Sequence, residues 1–290
     1  MTDDLNKEQI SIDRRGFVGL SVAVGIAATA APMSAAVEVV EKNVDIKTPD
    51  GTCDAAFIHP KSGSHAAVLI WTDAFGLRPS FREMGKRMAS EGYSVLVPNP
   101  FYRVAKDPFP DASKVDFAKE RGKIQPLMDS INAAGNAEKD AAAFIAFLDA
   151  QKEVDKKKKI GTQGYCMGGA LVVRTAASLP DRIGAGGSFH GGGLVTPNPN
   201  SPHLLAPKIK ARMYFAIAAS DDKQQPDAKD KLKEAFAAAK VPAEIEVYTT
   251  CAHGWCVPDM PQQNGMPIYN KEEADRAWSK LVALYKAGLA

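Results

Sequence analysis

Three residues have the types and spacing to do covalent chemistry: Cys166, Asp221 and His253. Cys166 sits in Gly164-Tyr165-Cys166-Met167-Gly168, the Gly-x-nucleophile-x-Gly form of a nucleophile elbow, with sulfur where a hydroxyl is usual. Such an elbow is a tight strand-to-helix turn that holds one side chain clear of the backbone in a strained conformation. The helix behind it points its positive dipole end at the sulfur and favours thiolate over thiol. A thiol nucleophile also needs a base and a carboxylate to orient that base. On this kind of scaffold they follow in the order nucleophile, acid, histidine, each on a loop at the carboxyl end of a strand. Ala219-Ser-Asp221-Asp222 follows a strand predicted over 211–218, and Thr249-Thr-Cys-Ala-His253-Gly-Trp255 follows one predicted over 243–248. Asp221, the first acid after its strand, is favoured, with Asp222 as the alternative.

Each residue has an ordinary explanation when taken singly: a buried thiol, a helix-capping aspartate, a loop histidine. Their joint order and placement point instead to acyl transfer. That chemistry requires two donors for an oxyanion, expected from the Met167 N–H at the start of the elbow helix and the Ala74 N–H after the strand ending at Trp71. His190, in Phe189-His-Gly-Gly-Gly193, ends a further strand near the pocket, where it either lines the site or holds a glycine-rich loop.

The elements that must position these residues alternate between strand and helix. Val37 opens an edge hairpin over 37–59 around Thr48-Pro-Asp-Gly-Thr52. Ala66-Ala-Val-Leu-Ile-Trp71 and Tyr93-Ser-Val-Leu-Val97 are apolar runs of strands covered on both faces. Helices are predicted over 79–91, 133–150, 227–239 and 272–287, with strands at 183–189, 211–218 and 243–248. The stretches 101–111 and 191–207 read as loops. This alternation predicts an α/β fold with a mostly parallel central sheet and helices on both faces.

The N-terminal segment stands apart. Ser11-Ile-Asp-Arg14-Arg15-Gly-Phe17 is a twin-arginine pattern, followed by an alanine- and glycine-rich apolar run and Ser34-Ala-Ala36 as a cleavage site. Residues 1–36 are therefore expected to be an export leader that engages the twin-arginine machinery, and 37–290 the catalytic domain, periplasmic or secreted. The apolar run is too short for a lasting membrane span. A net charge of +2 over 290 residues supplies no electrostatic reason to bind nucleic acid. Of the four cysteines, none form Cys-x-x-Cys, which argues against a thiol–disulfide role. Cys251, His253 and Cys256 lack an evident fourth ligand, so no metal is expected. No nucleotide signature is found either, and no cofactor is called for.

Asp73-Ala-Phe-Gly76, Gly-Tyr-Cys-Met-Gly-Gly169, Ser-Asp221 and His253-Gly-Trp255 resemble the dienelactone hydrolases, cysteine-dependent members of the α/β-hydrolase fold. The resemblance spans roughly 44–287. It implies hydrolysis of a small ester or lactone through a Cys-His-Asp triad and a thioester. An acyltransferase or thioesterase with the same triad, or a non-catalytic binding protein on the same fold, are the competing expectations. Substrate contacts are expected from Asp73, where family members carry glutamate, and from Phe75, Tyr102 and Trp255; Arg103, after Phe101-Tyr102, is either a cationic contact or a surface arginine, and His190 joins the expected contacts if it lines the site. Gly254-Trp-Cys-Val-Pro258 lacks the arginine that characterised members set against a substrate carboxylate.

Overall fold

A computed structural model describes residues 37–290 apart from Asp107 and Asn264, so the twin-arginine segment and its cleavage site lie outside the described residues. The described residues open with an antiparallel hairpin of β1 (Val39–Thr48) and β2 (Gly51–Pro60), paired from Val39 with Pro60 to Thr48 with Gly51. There follow β3 (Ala67–Trp71), α1 (Pro79–Ser90), β4 (Ser94–Pro98), α2 (Arg121–Asn132), α3 (Asn136–Ala150) and β5 (Ile160–Tyr165). Then come α4 (Met167–Ser178), β6 (Ile183–Phe189), β7 (Arg212–Ala218), α5 (Ala219–Gln224), α6 (Ala228–Ala238), β8 (Ala243–Tyr248) and α7 (Lys271–Gly288).

The main sheet has eight strands in the order β1-β2-β4-β3-β5-β6-β7-β8. Only β2 runs against its neighbours; from β4 to β8 every pairing is parallel. The expected architecture, a mostly parallel sheet between two helical layers, is the one observed.

Strand period explains the two layers. Successive side chains of a strand point to opposite faces. In β3, Ala67, Leu69 and Trp71 join one core with Phe144 of α3 and Leu171 of α4, while Val68 and Ile70 join the other with Phe81 of α1 and Leu281 of α7. In β7, Met213, Phe215 and Ile217 face the first layer, and Tyr214, Ala216 and Ala218 the second. The continuous apolar runs are thus strands covered on both sides.

Two helices depart from the sequence-based expectation. The helix predicted over 133–150 begins only at Asn136, after Gly135 at φ +79°, and α2 precedes it. Pro126 inside α2 removes a backbone donor and interrupts the helical signature there. The loop expected after β7 coils at once into the short α5, which carries both candidate aspartates in its first turn.

Candidate active site

Cys166 forms the junction of β5 and α4 at φ +54° and ψ −119°, a strained backbone for a residue bearing a Cβ. Its flanking glycines are demanded by contact. A Cβ on Gly164 would lie 2.1 Å from the Gly168 carbonyl oxygen, and one on Gly168 2.6 Å from that of Thr72. The elbow backbone is tied to the loop after β6 on both sides. The Cys166 N–H donates to the Phe189 carbonyl (3.1 Å) and to His190 Nδ1 (3.2 Å), and the Cys166 carbonyl accepts from Gly169 and Gly192. Cys166 is partly exposed, whereas Cys53, Cys251 and Cys256 are buried.

His253 and Asp221 come together from the loop after β8 and from α5. Both Asp221 oxygens lie 3.0 Å from His253 Nδ1. The two segments are clasped by backbone as well: Ala219 N–H donates to the Cys251 carbonyl (2.9 Å), and His253 N–H to Ser220 Oγ (2.8 Å). Asp222 is engaged elsewhere, accepting from Lys229 Nζ at 2.7 Å, so of the two aspartates Asp221 is the one that contacts His253. Burial opposes a charge on His253. The Cys166 sulfur, acting by charge and by hydrogen bond, and the Asp221 carboxylate outweigh it and push the imidazole up to about 11. Sulfur and carboxylate together thus favour the imidazolium form of His253.

His190 is fully buried, at φ +37°. Its N–H donates to the Ala216 carbonyl of β7, and its ring lies edge-to-face with that of His253, centroids 4.7 Å apart. Accepting at Nδ1 requires the Nε2–H tautomer. Burial, reinforced by the His253 charge, holds the ring well below the ordinary histidine range and thus neutral. His190→Asn keeps an acceptor near the Nδ1 position and tolerates positive φ. His190→Phe keeps a ring and loses the acceptor. The phenylalanine variant should lose about tenfold in kcat with little change in KM, as expected for one hydrogen bond, and the asparagine variant much less. Equal kinetics of the two on an aryl ester would deny the Nδ1 bond any part.

The structure places the other expected substrate contacts inside the protein. Asp73 accepts from Arg78 at both oxygens (2.7 and 3.0 Å) and from the Phe75 N–H (2.9 Å). Arg78, fully buried, gives its other edge to Asp259 at 2.7 and 2.8 Å. One guanidinium thus joins the loop that carries Ala74 to the loop that carries His253. Tyr102 and Arg103 are likewise committed: both donate to the buried Asp140, and Arg103 also to Asp50. Trp255 is fully buried and stacks on Tyr248 at 4.2 Å, and Phe75, 3% exposed, packs edge-on against Phe109 and Phe117. Residue type at a strand end indicated proximity to the site, but each side chain is taken by a protein partner.

An open cleft of about 850 Å³ reaches Cys166 and Met167 and extends along α4, with Met128 of α2 and Leu205 among its walls. None of Asp73, Phe75, Tyr102, Arg103, His190 or Trp255 lines it. Sequence reasoning missed Glu138 and Arg174, which do. The available signal was the spacing Cys166, Ala170, Arg174, which falls on one helical face. Among the described residues no group of three or more metal-ligating side chains gathers, and no helix is long and apolar enough to cross a membrane.

Comparison with known proteins bears on the family and the fold. A model of the dienelactone hydrolase family matches residues 53–289. The chain is 28% identical over 214 residues to a carboxymethylenebutenolidase of Rhodococcus opacus, covering 72% of this chain and 78% of that protein. A solved structure named m3DLH superposes with a TM-score of 0.72 at 22% identity, over 87% of this chain and 99% of its own. A dienelactone hydrolase-like promiscuous phosphotriesterase from metagenomic libraries superposes at 0.70 and 22% identity, with coverage of 87% and 99%. At that identity the two structures speak for the fold.

Proposed function

The chain belongs to the dienelactone hydrolase family, and from that membership we propose that this hydrolase opens a small ester or lactone through Cys166, His253 and Asp221. The observation that carries the triad is the Asp221 carboxylate on His253 Nδ1, with the Cys166 sulfur acting on the same imidazole. The sulfur adds to the carbonyl carbon, forming a C–S bond, and the oxyanion is met by the N–H groups of Met167 and Ala74. Met167 N–H is the first of α4 and has no intrahelical acceptor. Collapse of the adduct breaks the C–O bond, and the departing alkoxide takes the proton of the His253 imidazolium. Water then gives a proton to the neutral imidazole while its oxygen attacks the thioester. The carboxylic acid leaves, and sulfur and imidazolium are restored.

The cysteines themselves test this reading. Burial pushes the thiols of Cys53, Cys251 and Cys256 up, whereas Cys166 is partly exposed beside a protonated histidine. Iodoacetamide at neutral pH should label Cys166 at least about tenfold faster than the other three, and Asp221→Asn should slow that labelling. Peptide mapping of the alkylated protein gives the rates. Uniform labelling, or no effect of Asp221→Asn, would remove the activated sulfur from the proposal.

A further inference from the structure

The cleft that opens from Cys166 has an unusual charge balance. Its charged lining residues among those described are Glu138 of α3 and Arg174 of α4. They neutralise each other in a two-point pair, Arg174 Nε to Glu138 Oε1 and Nη2 to Oε2, both at 2.7 Å. Burial pushes the Glu138 carboxyl up, but Arg174 outweighs this and holds it below its ordinary range, so the pair is ionised. Arg78 and Arg103 are no freer: the former is held between Asp73 and Asp259, the latter between Asp50 and Asp140. A carboxylate entering this cleft therefore meets a guanidinium already matched by another carboxylate. A hydroxyl suffers no such conflict. It can accept from the remaining Arg174 N–H groups and donate to a Glu138 oxygen, and both are presented side by side.

The distance along the cleft is set by the helix. Cys166, Ala170 and Arg174 recur at intervals of four and all line the cleft, so the Arg174 backbone lies about 12 Å along the helix from that of Cys166 at the α-helical rise. Ala170 leaves the floor open between them, and Met128 and Leu205 are among the apolar residues that line the cleft. The acyl part of a substrate is the part that stays on sulfur through both half-reactions, and it is the part this floor can hold.

We propose that the cleft over α4 is an acyl subsite for a neutral substrate: an extended, mainly apolar acyl chain whose far end carries a hydroxyl group received by the Glu138–Arg174 pair. The proposal rests on Cys166 being the nucleophile, and it extends the substrate from a small ester to one with a longer acyl chain.

Three para-nitrophenyl esters of equal chain length test it: decanoate, ω-hydroxydecanoate and the half-ester of sebacic acid, with the acetate ester as a short reference. The ω-hydroxydecanoate should exceed the sebacate half-ester in kcat/KM by about tenfold or more, the scale of one charge-assisted hydrogen bond. Glu138→Gln releases the Arg174 charge, so the ratio of sebacate to hydroxydecanoate turnover should rise about tenfold in that variant. A wild-type preference for the sebacate half-ester, or a ratio unmoved by Glu138→Gln, overturns the subsite while leaving the triad intact. Acetate-ester turnover that is absent, or that survives in Cys166→Ala, overturns the triad reading and this subsite with it.

Discussion

Cys166→Ala should abolish turnover of an activated aryl ester, a fall of roughly 10⁴-fold or more as for other enzymes stripped of their nucleophile. The fold should survive. Alanine carries the same Cβ into the φ +54° turn, and the backbone bonds from Cys166 N–H to Phe189 and from Gly169 and Gly192 to the Cys166 carbonyl need no side chain. The substitution therefore removes the bond-forming atom without loosening the elbow. Steady-state kinetics with a circular dichroism spectrum of the same preparation checks both halves. Undiminished turnover with an unchanged spectrum would assign the chemistry to some other group, and the sulfur would then be a bystander.

The second large effect is on stability. Arg78→Met should cost about 3–5 kcal/mol, because it strands the buried Asp73 carboxylate, the usual result of deleting one partner of a buried ion pair. In a domain of this size that corresponds to a fall in Tm of roughly 10 °C. The Asp73 and Arg78 side chains are 3% and 0% exposed, so water cannot replace the lost contacts. Asp259→Asn, at the more open end of the pair with 25% exposure, should cost less. Arg78→Lys should not restore stability, because a single ammonium cannot donate in parallel to two carboxylates. Denaturant unfolding of the variants measures this, and a loss below about 1 kcal/mol for Arg78→Met would show that the two loops are held by other means.

Why part of this site was legible in the sequence and part was not has a physical basis. The strands announced themselves because a strand covered on both faces must be apolar throughout, as β3 is from Ala67 to Trp71. Cys166, Asp221 and His253 were legible because a parallel sheet sends its loops to one edge, so order along the chain becomes adjacency in space. The long-range ion pairs follow no such rule. Arg78 and Asp259 are 181 positions apart, and neither sequence neighbourhood marks the other. Tyr102 and Arg103 therefore looked like free polar groups at the mouth of a pocket, while the fold had already matched both with Asp140. His190 ends its strand beside His253, yet its φ of +37° and its bond from the Cys166 N–H are properties of backbone path that residue type does not encode. The helix α2 was hidden by Pro126.

The contrast between one open sulfur and three enclosed ones sets how this protein meets oxidants. Peroxide reaching Cys166 would convert it to a sulfenic acid, and the cleft holds no second thiol to capture that species as a disulfide. Repair then depends on small thiols arriving from solution. Where these are scarce, the sulfur passes on to sulfinic and sulfonic acids, a change confined to the elbow while the three enclosed thiols remain untouched.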